Sequence, residues 1–338
     1  MIQSTLARLL DGHDLDREEA RAVMDEIMTG EATQAQIGGF LVALRLKGET
    51  PDEIAGFAEA IRGQALVVRP SRDDLVDVVG TGGDGQHTLN ISTAAALLAA
   101  AAGAGVAKHG NRAVSSASGS ADVLEALGFD VELPPERISR SIDQLGFGFM
   151  FAPAHHPGFR HAAPVRRELA TRTVFNVLGP LTNPAGARAQ IVGVYDPALV
   201  PTIAEALVRL GARRAFVVHG AHGVDELSPA GPNLVCEVVD GAVRERDVDP
   251  LDLGIPRCAP EELRGGTPAE NAAGIRAIFS GEEQGARRDA VLLTAAGAIA
   301  AGGHADDLRD GLELARKTLD SGAAGERLEA LVAFSNGG

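Results

Sequence analysis

The periodicity of this chain changes abruptly at residue 71, and that change limits its folds more than any other feature. Up to residue 69, apolar residues recur at three- and four-residue spacings, the mark of amphipathic helices. Thr33 and Thr50 read as helix starts, since each is followed three residues later by Gln36 or Glu53, the capping-box spacing. Pro51 falls at a first helical position, where its missing N–H costs nothing, and Pro70 closes the region. From 71 onward, strand-like and helix-like stretches alternate. LVDVVG (75–80) reads as a buried strand, 92–105 as a helix buried nearly all round, and VAKHG (106–110) as a short strand. A helix is expected from Ser120 to Gly128. FDVEL (129–133), a helix and FGFMF (147–151) continue the alternation, and 191–196 and 213–220 resume it. Residues 156–184 lack strand character and read as a helical insertion. Residues 233–249 read as a hairpin turning at Asp240-Gly241, and the chain returns to helices from about Pro268. The expected fold is therefore α/β. A small all-helical domain (1–69) precedes a larger α/β domain (70–338) with a mostly parallel central sheet covered by helices.

Composition removes several function classes. No apolar run reaches the length of a membrane span unbroken, and the first twenty residues carry acids rather than a basic and apolar leader. A cytoplasmic protein without a membrane partner is expected. The net charge of −15 opposes non-specific nucleic-acid binding but leaves room for a local basic pocket. Cys236 and Cys258 are the only cysteines, too sparse for a disulfide framework or a zinc site, and read as packing residues.

Five strings carry chemistry. Gly80-Thr81-Gly82-Gly83-Asp84-Gly85 follows a strand, and glycines let backbone N–H groups approach phosphate without a Cβ in the way. It is a poor dinucleotide fingerprint, because residues 87–91 intervene before the helix and the next strand ends in Lys108 rather than an acid. Asn90-Ile91-Ser92-Thr93 begins the apolar helix; such hydroxyls often only cap, yet a helix start also attracts anions. Lys108, His109, Asn111, Arg112, Ser115 and Ser116 crowd one loop, with Ser120 heading the next helix, a set suited to gripping pyrophosphate. Asp225-Glu226 follows a strand and suits magnesium, which takes one or two carboxylates plus substrate phosphates. His155-His156 lacks a third ligand at metal spacing, and Arg166 alone reads as a surface residue.

Taken in order, VGTGGDG…TLNIST (79–93), KHGNRAVSS…GSADVLEALG (108–128), FMFAPAHHP…PVRRELATRTVFNVLGPLTNPA (149–185) and VDELSP (224–229) resemble the anthranilate phosphoribosyltransferase family, within the nucleoside phosphorylase-like phosphoribosyltransferases. The resemblance covers nearly the whole chain. It implies transfer of phosphoribosyl from 5-phosphoribosyl 1-pyrophosphate to the anthranilate amine, in tryptophan biosynthesis, with Mg2+ as cofactor. It implies a homodimer formed through the helical domain, and an insertion (156–184) folded onto that domain. It places Gly80, Gly83, Asp84, Thr88, Asn90, Ile91, Ser92, Thr93, Lys108, Asn111, Arg112, Ser115, Ser116 and Ser120 on phosphoribosyl pyrophosphate. Gly80, His109, Asn111, Arg166 and Gly179 would meet anthranilate, and Ser92, Asp225 and Glu226 would hold magnesium. Ala117, Ala170, His222 and Thr294 depart from the family's usual residues.

The implied reaction forms an N-glycosidic bond at ribose C1 and expels pyrophosphate. Neutralising the leaving group's charge and positioning the amine are its main demands. An aryl amine is largely unprotonated at neutral pH, so no general acid or base is assigned. A pyrimidine nucleoside phosphorylase is opposed by KHGNR, the acid pair and Pro164-Val165-Arg166; a nucleic-acid-binding relative is opposed by the net charge.

Overall fold

The structure, a computed structural model, describes residues 1–113 and 117–337; the expected contacts of Ser115 and Ser116 lie outside the described residues. Helices α1 (Ile2–Leu10), α2 (Arg17–Met28), α3 (Gln34–Lys47) and α4 (Pro51–Gly63) fill the N-terminal part. The capping boxes at Thr33 and Thr50 form as expected, and Asp16 with Glu19 makes another at the start of α2. Glu53 does more than cap. Fully buried, it also accepts from Leu15 N at 2.9 Å and Lys47 Nζ at 3.0 Å, so one carboxylate joins three segments of the helical unit.

There follow β1 (Leu75–Gly80), α5 (Ile91–Ala101), β2 (Gly105–Gly110), α6 (Ser120–Ala126), α7 (Pro135–Leu145) and β3 (Phe147–Phe151). Short helices α8 (Ala152–His155), α9 (Phe159–Leu169) and α10 (Phe175–Leu178) form the strandless insertion, with α9 packed on α2 and α3. Next come β4 (Ala189–Gly193), α11 (Val200–Arg209), β5 (Arg214–His219), β6 (Asn233–Val239) and β7 (Ala242–Val248). Helices α12 (Pro268–Ser280), α13 (Ala286–Ala301), α14 (Leu308–Asp320) and α15 (Ala323–Ser335) complete the described chain. Among the described residues no helix is long and apolar enough to cross a membrane.

The strands make one sheet in the order β3-β2-β1-β4-β5-β6-β7, parallel from β3 through β5 and antiparallel in the β6–β7 hairpin. Alternate residues serve two cores: Ile191, Phe216 and Val218 face α5 and α13, while Val192, Ala215 and Val217 join α11 and the N-terminal helices. Strand order reverses between β1 and β4, which opens a crevice at their C-terminal ends.

Three local expectations change. FDVEL forms no strand: Phe129, Val131 and Leu133 are buried at alternate positions, but Asp130 N donates to Ser335 Oγ and Glu132 N to Asp130 Oδ1. Side chains take the donors a neighbouring strand would have used. The apolar helix ends at Ala101 rather than 105, because Gly103 adopts φ +109° and turns the chain into β2. Helix α6 starts at Ser120 as expected, with Asp122 accepting the Gly119 N–H, but it ends at Ala126 rather than Gly128.

Candidate active site

A cleft of about 720 Å3 lies beyond the ends of β1 and β2, between the glycine loop and the helical insertion. Every expected site residue within the described chain lines it: Gly80, Gly83, Asp84, Thr88, Asn90, Ile91, Ser92, Thr93, Lys108, His109, Asn111, Arg112, Ser120, Arg166, Gly179, Asp225 and Glu226.

The glycine loop owes its shape to left-handed backbone. Gly82, Gly83 and Gly85 have φ of +67°, +75° and +73°, values costly for residues with a Cβ. After it, Leu89 N donates to Leu263 O and Gly265 N to His87 O, so the chain is pinned to a distant segment before α5 starts. Asn90 then bridges the loop before α6 to the first turns of α12, donating to Ser118 O at 3.0 Å and accepting from Asn271 Nδ2 at 2.8 Å.

The acid pair sits on both phosphate-type donors. Asp225 Oδ2 accepts from Gly82 N at 2.6 Å, while Glu226 Oε1 accepts from Ser92 N at 2.9 Å and from the Ser92 hydroxyl. Each carboxylate thus stands where a phosphate oxygen would be welcome. Burial, with Asp84 as a close negative neighbour, raises both acids above the usual carboxylate range. A cation bound here would relieve that cost. The all-oxygen donor set fits magnesium, and no cage of three or more such ligands exists among the described residues, which leaves positions for phosphate and water.

Positive charge approaches from two places. Lys108 is buried and donates to Val78 O at 2.6 Å; burial lowers its affinity for the proton, and Asp77 and Glu226 oppose that effect. Arg112 lies at the exposed rim, paired with Asp122 and Glu125 and 5.5 Å from the Phe151 ring. The guanidinium is thus partly engaged with acids of α6.

On the helical side, His109 Nδ1 donates to Gly179 O at 3.2 Å, which fixes the tautomer and leaves a lone pair on Nε2. Burial pushes His109 down to about 3, so it is neutral at physiological pH. The Arg166 guanidinium lies 5.3 Å from the Phe175 ring, half-buried and without a carboxylate partner among the described residues. It is not the surface residue its isolated context suggests. Asn111 lies at the mouth, its Oδ1 accepting from Arg112 N.

Four supporting residues were missed. Asp77 is fully buried in β1, accepting from His109 N at 3.2 Å and Asn183 Nδ2 at 2.7 Å, and burial pushes it up to about 6. Its charge inside a buried strand was a usable signal. Asn183 holds the distant Ala107 carbonyl and Asn271 the distant Asn90 side chain, and neither left a local signal. Gly193 lets the Asp225 backbone sit against the end of β4: a Cβ there would lie 1.5 Å from Asp225 O.

Residues 3–65 match the glycosyl transferase family, helical bundle domain, and residues 72–325 match the glycosyl transferase family, a/b domain. The chain is 56% identical to the anthranilate phosphoribosyltransferase of Anaeromyxobacter dehalogenans (strain 2CP-C), over 98% of each. The crystal structure of anthranilate phosphoribosyltransferase from Thermus thermophilus superposes with a TM-score of 0.93 at 51% identity, covering 98% of this chain and 99% of that one. The enzyme from Saccharomyces cerevisiae in complex with PRPP and Mg gives 0.90 at 28% identity, covering 99% and 98%.

Proposed function

This chain belongs to the anthranilate phosphoribosyltransferase family of glycosyl transferases, and we infer from its cleft how the work is divided. It transfers the phosphoribosyl group of phosphoribosyl pyrophosphate to the anthranilate amine and releases pyrophosphate, in tryptophan biosynthesis. The glycine loop and the residues at 88–93 hold the phosphates through N–H and hydroxyl donors, with Lys108 below and Asn111, Arg112 and Ser120 at the rim. Ser115 and Ser116 belong to the same grip by their place in the sequence. Asp225 and Glu226, with Ser92, hold magnesium, which when bound neutralises the leaving pyrophosphate. Arg166, His109, Gly179 and Asn111 line the anthranilate side, and Gly80 lies between the two. His109, neutral, orients rather than charges the acceptor. The α/β unit (70–338 without the insertion) forms one wall of the site, and the insertion 156–184, packed on the helical unit 1–69, forms the other.

The observation carrying this reading is the acid pair seated on the Gly82 and Ser92 donors at the strand-order reversal. The exposed apolar residues Leu10, Val42 and Leu46 of α1 and α3 support a homodimer through the helical unit, and the cell compartment is the cytoplasm. The direct test follows the loss of anthranilate fluorescence with and without phosphoribosyl pyrophosphate across a magnesium titration. Turnover should require both, and Asp225→Asn combined with Glu226→Gln should abolish the magnesium response while the protein stays folded. An unchanged response would remove the acid pair from the metal site.

A further inference from the structure

Arg172, between α9 and α10, reaches the glycine loop from outside the cleft. It is exposed and does not line the cavity. Its Nη2 donates to the Gly83 carbonyl, and its guanidinium stacks 3.9 Å from the Tyr195 ring centroid. The Arg172 carbonyl in turn accepts from Arg45 of α3. Tyr195, just past β4, belongs to the α/β unit, and its N–H donates to Thr81 Oγ1 at 3.1 Å. No carboxylate pairs with Arg172 among the described residues. One side chain therefore joins the helical insertion, the glycine loop and the end of β4.

The consequence is one of peptide orientation. In a trans peptide the C=O and the following N–H point in opposite directions, and the described chain has no cis bond. Gly82 and Gly83 sit in left-handed backbone with little or no side-chain packing to stop the next peptide from flipping. A guanidinium holding the Gly83 carbonyl outward turns the Asp84 N–H inward, where Gly83 and Asp84 line the cleft. We propose that Arg172, stacked on Tyr195 and anchored by Arg45, is a positioning residue that sets this peptide so the Asp84 N–H meets pyrophosphate. The proposal rests on the assignment of the glycine loop to phosphoribosyl pyrophosphate.

Steady-state kinetics of Arg172→Ala, varying each substrate in turn, give the first readout. The KM for phosphoribosyl pyrophosphate should rise at least about tenfold, the size of one lost charge-assisted contact, with the KM for anthranilate nearly unchanged. Arg172→Lys keeps the charge but not the planar fork or the stack, and should restore only part of the loss. A purely structural role would raise both KM values together, and full rescue by lysine would reduce the effect to charge; either result overturns the proposal. The chain offers a second readout, because it has one tyrosine and no tryptophan, so its intrinsic emission reports Tyr195. Magnesium with phosphoribosyl pyrophosphate, in the absence of anthranilate, should change that emission in the wild type and leave it unchanged in Arg172→Ala at saturation. Hydrogen exchange separates the proposal from its premise. If the substrate binds the wild type without protecting residues 81–86, the loop assignment fails. If it protects them and Arg172→Ala binds equally well, the positioning role alone fails. Should Arg172→Ala not fold, Arg45→Ala loosens only the anchor, and an unchanged KM for phosphoribosyl pyrophosphate there would also count against the role.

Discussion

Arg166 and Ala170 lie four residues apart, and each shows a single side chain against its surroundings. Arg166 occupies the last turn of α9, over the Phe175 ring and inside the cleft, where burial lowers its pKa without any carboxylate to compensate among the described residues. Holding an unpaired guanidinium there costs free energy, which a planar aromatic carboxylate would offset by hydrogen bonding or stacking. Arg166→Ala should therefore raise the KM for anthranilate at least about tenfold, the lower end of roughly 1.5–3 kcal/mol for a charge-assisted contact. The value for phosphoribosyl pyrophosphate should move much less. A larger effect on the latter in steady-state kinetics would mean the acceptor lies elsewhere. Ala170 ends the same helix at φ +45°, ψ +32°, a left-handed cap in which a Cβ is crowded. Glycine would occupy such a cap without that crowding. Ala170→Gly relieves the crowding but loosens the unfolded chain, and a net gain of roughly 0.5 kcal/mol is expected. Urea unfolding gives the comparison, and a loss of stability would show that the cap is unstrained. The other positions singled out in the sequence differ in kind: Thr294 Oγ1 is buried with no hydrogen-bond partner among the described residues, His222 is left-handed at φ +64°, and Ala117 is exposed at the cleft.

Between elements, the site depends on how closely the 224–229 loop approaches the ends of β1 and β4. Gly80 and Gly193 permit it; a Cβ on either would meet Asp225, at 2.4 Å from Oδ2 for Gly80 and 1.5 Å from the backbone oxygen for Gly193. A flexible carboxylate can turn aside, but a backbone carbonyl cannot. Gly193→Ala should displace the acid loop, cost about 1–3 kcal/mol and raise the magnesium concentration for half-maximal activity several-fold. An unshifted magnesium profile would show that the loop is not fixed by this contact. What could be read from the sequence divides along the same line. The boxes at Thr33 and Thr50, the Asp240-Gly241 hairpin and the glycine loop are local, with cause and effect within a few residues. FDVEL misled because alternating burial also arises in a loop whose amides are taken by side chains. Asp77 and Asn183 are 106 residues apart, and Gly193 looks like any strand glycine until Asp225 lies against it. Arg172 passed unnoticed for the same reason, since its partners come from α3, the glycine loop and the end of β4.

At the scale of the whole molecule, the helical unit shows apolar side chains that nothing among the described residues covers. Leu10 of α1 is 70% exposed, and Val42 and Leu46 of α3 are 39% and 82% exposed, four residues apart on one helical face. The two helices pack on each other, so these side chains belong to the same outer region of the helical unit. Large aliphatic groups clustered in this way favour association, and a two-fold contact would bury each patch against its copy. The protein should therefore sediment at about twice its 34.9 kDa chain mass. Val42→Glu combined with Leu46→Glu places like charges opposite each other across such a contact and should yield a monomer, without disturbing the buried side of α3 formed by Ile37, Phe40, Leu41 and Leu44. Because neither Val42 nor Leu46 lines the cleft, the monomer should keep its turnover to within about twofold, the usual scale of surface substitutions. Sedimentation velocity and the anthranilate assay on the same sample separate the outcomes. An unchanged mass would place the dimer contact on another surface. A monomer that binds phosphoribosyl pyrophosphate but no longer turns over would mean that the partner steadies the helical wall from which Arg166 faces the acceptor.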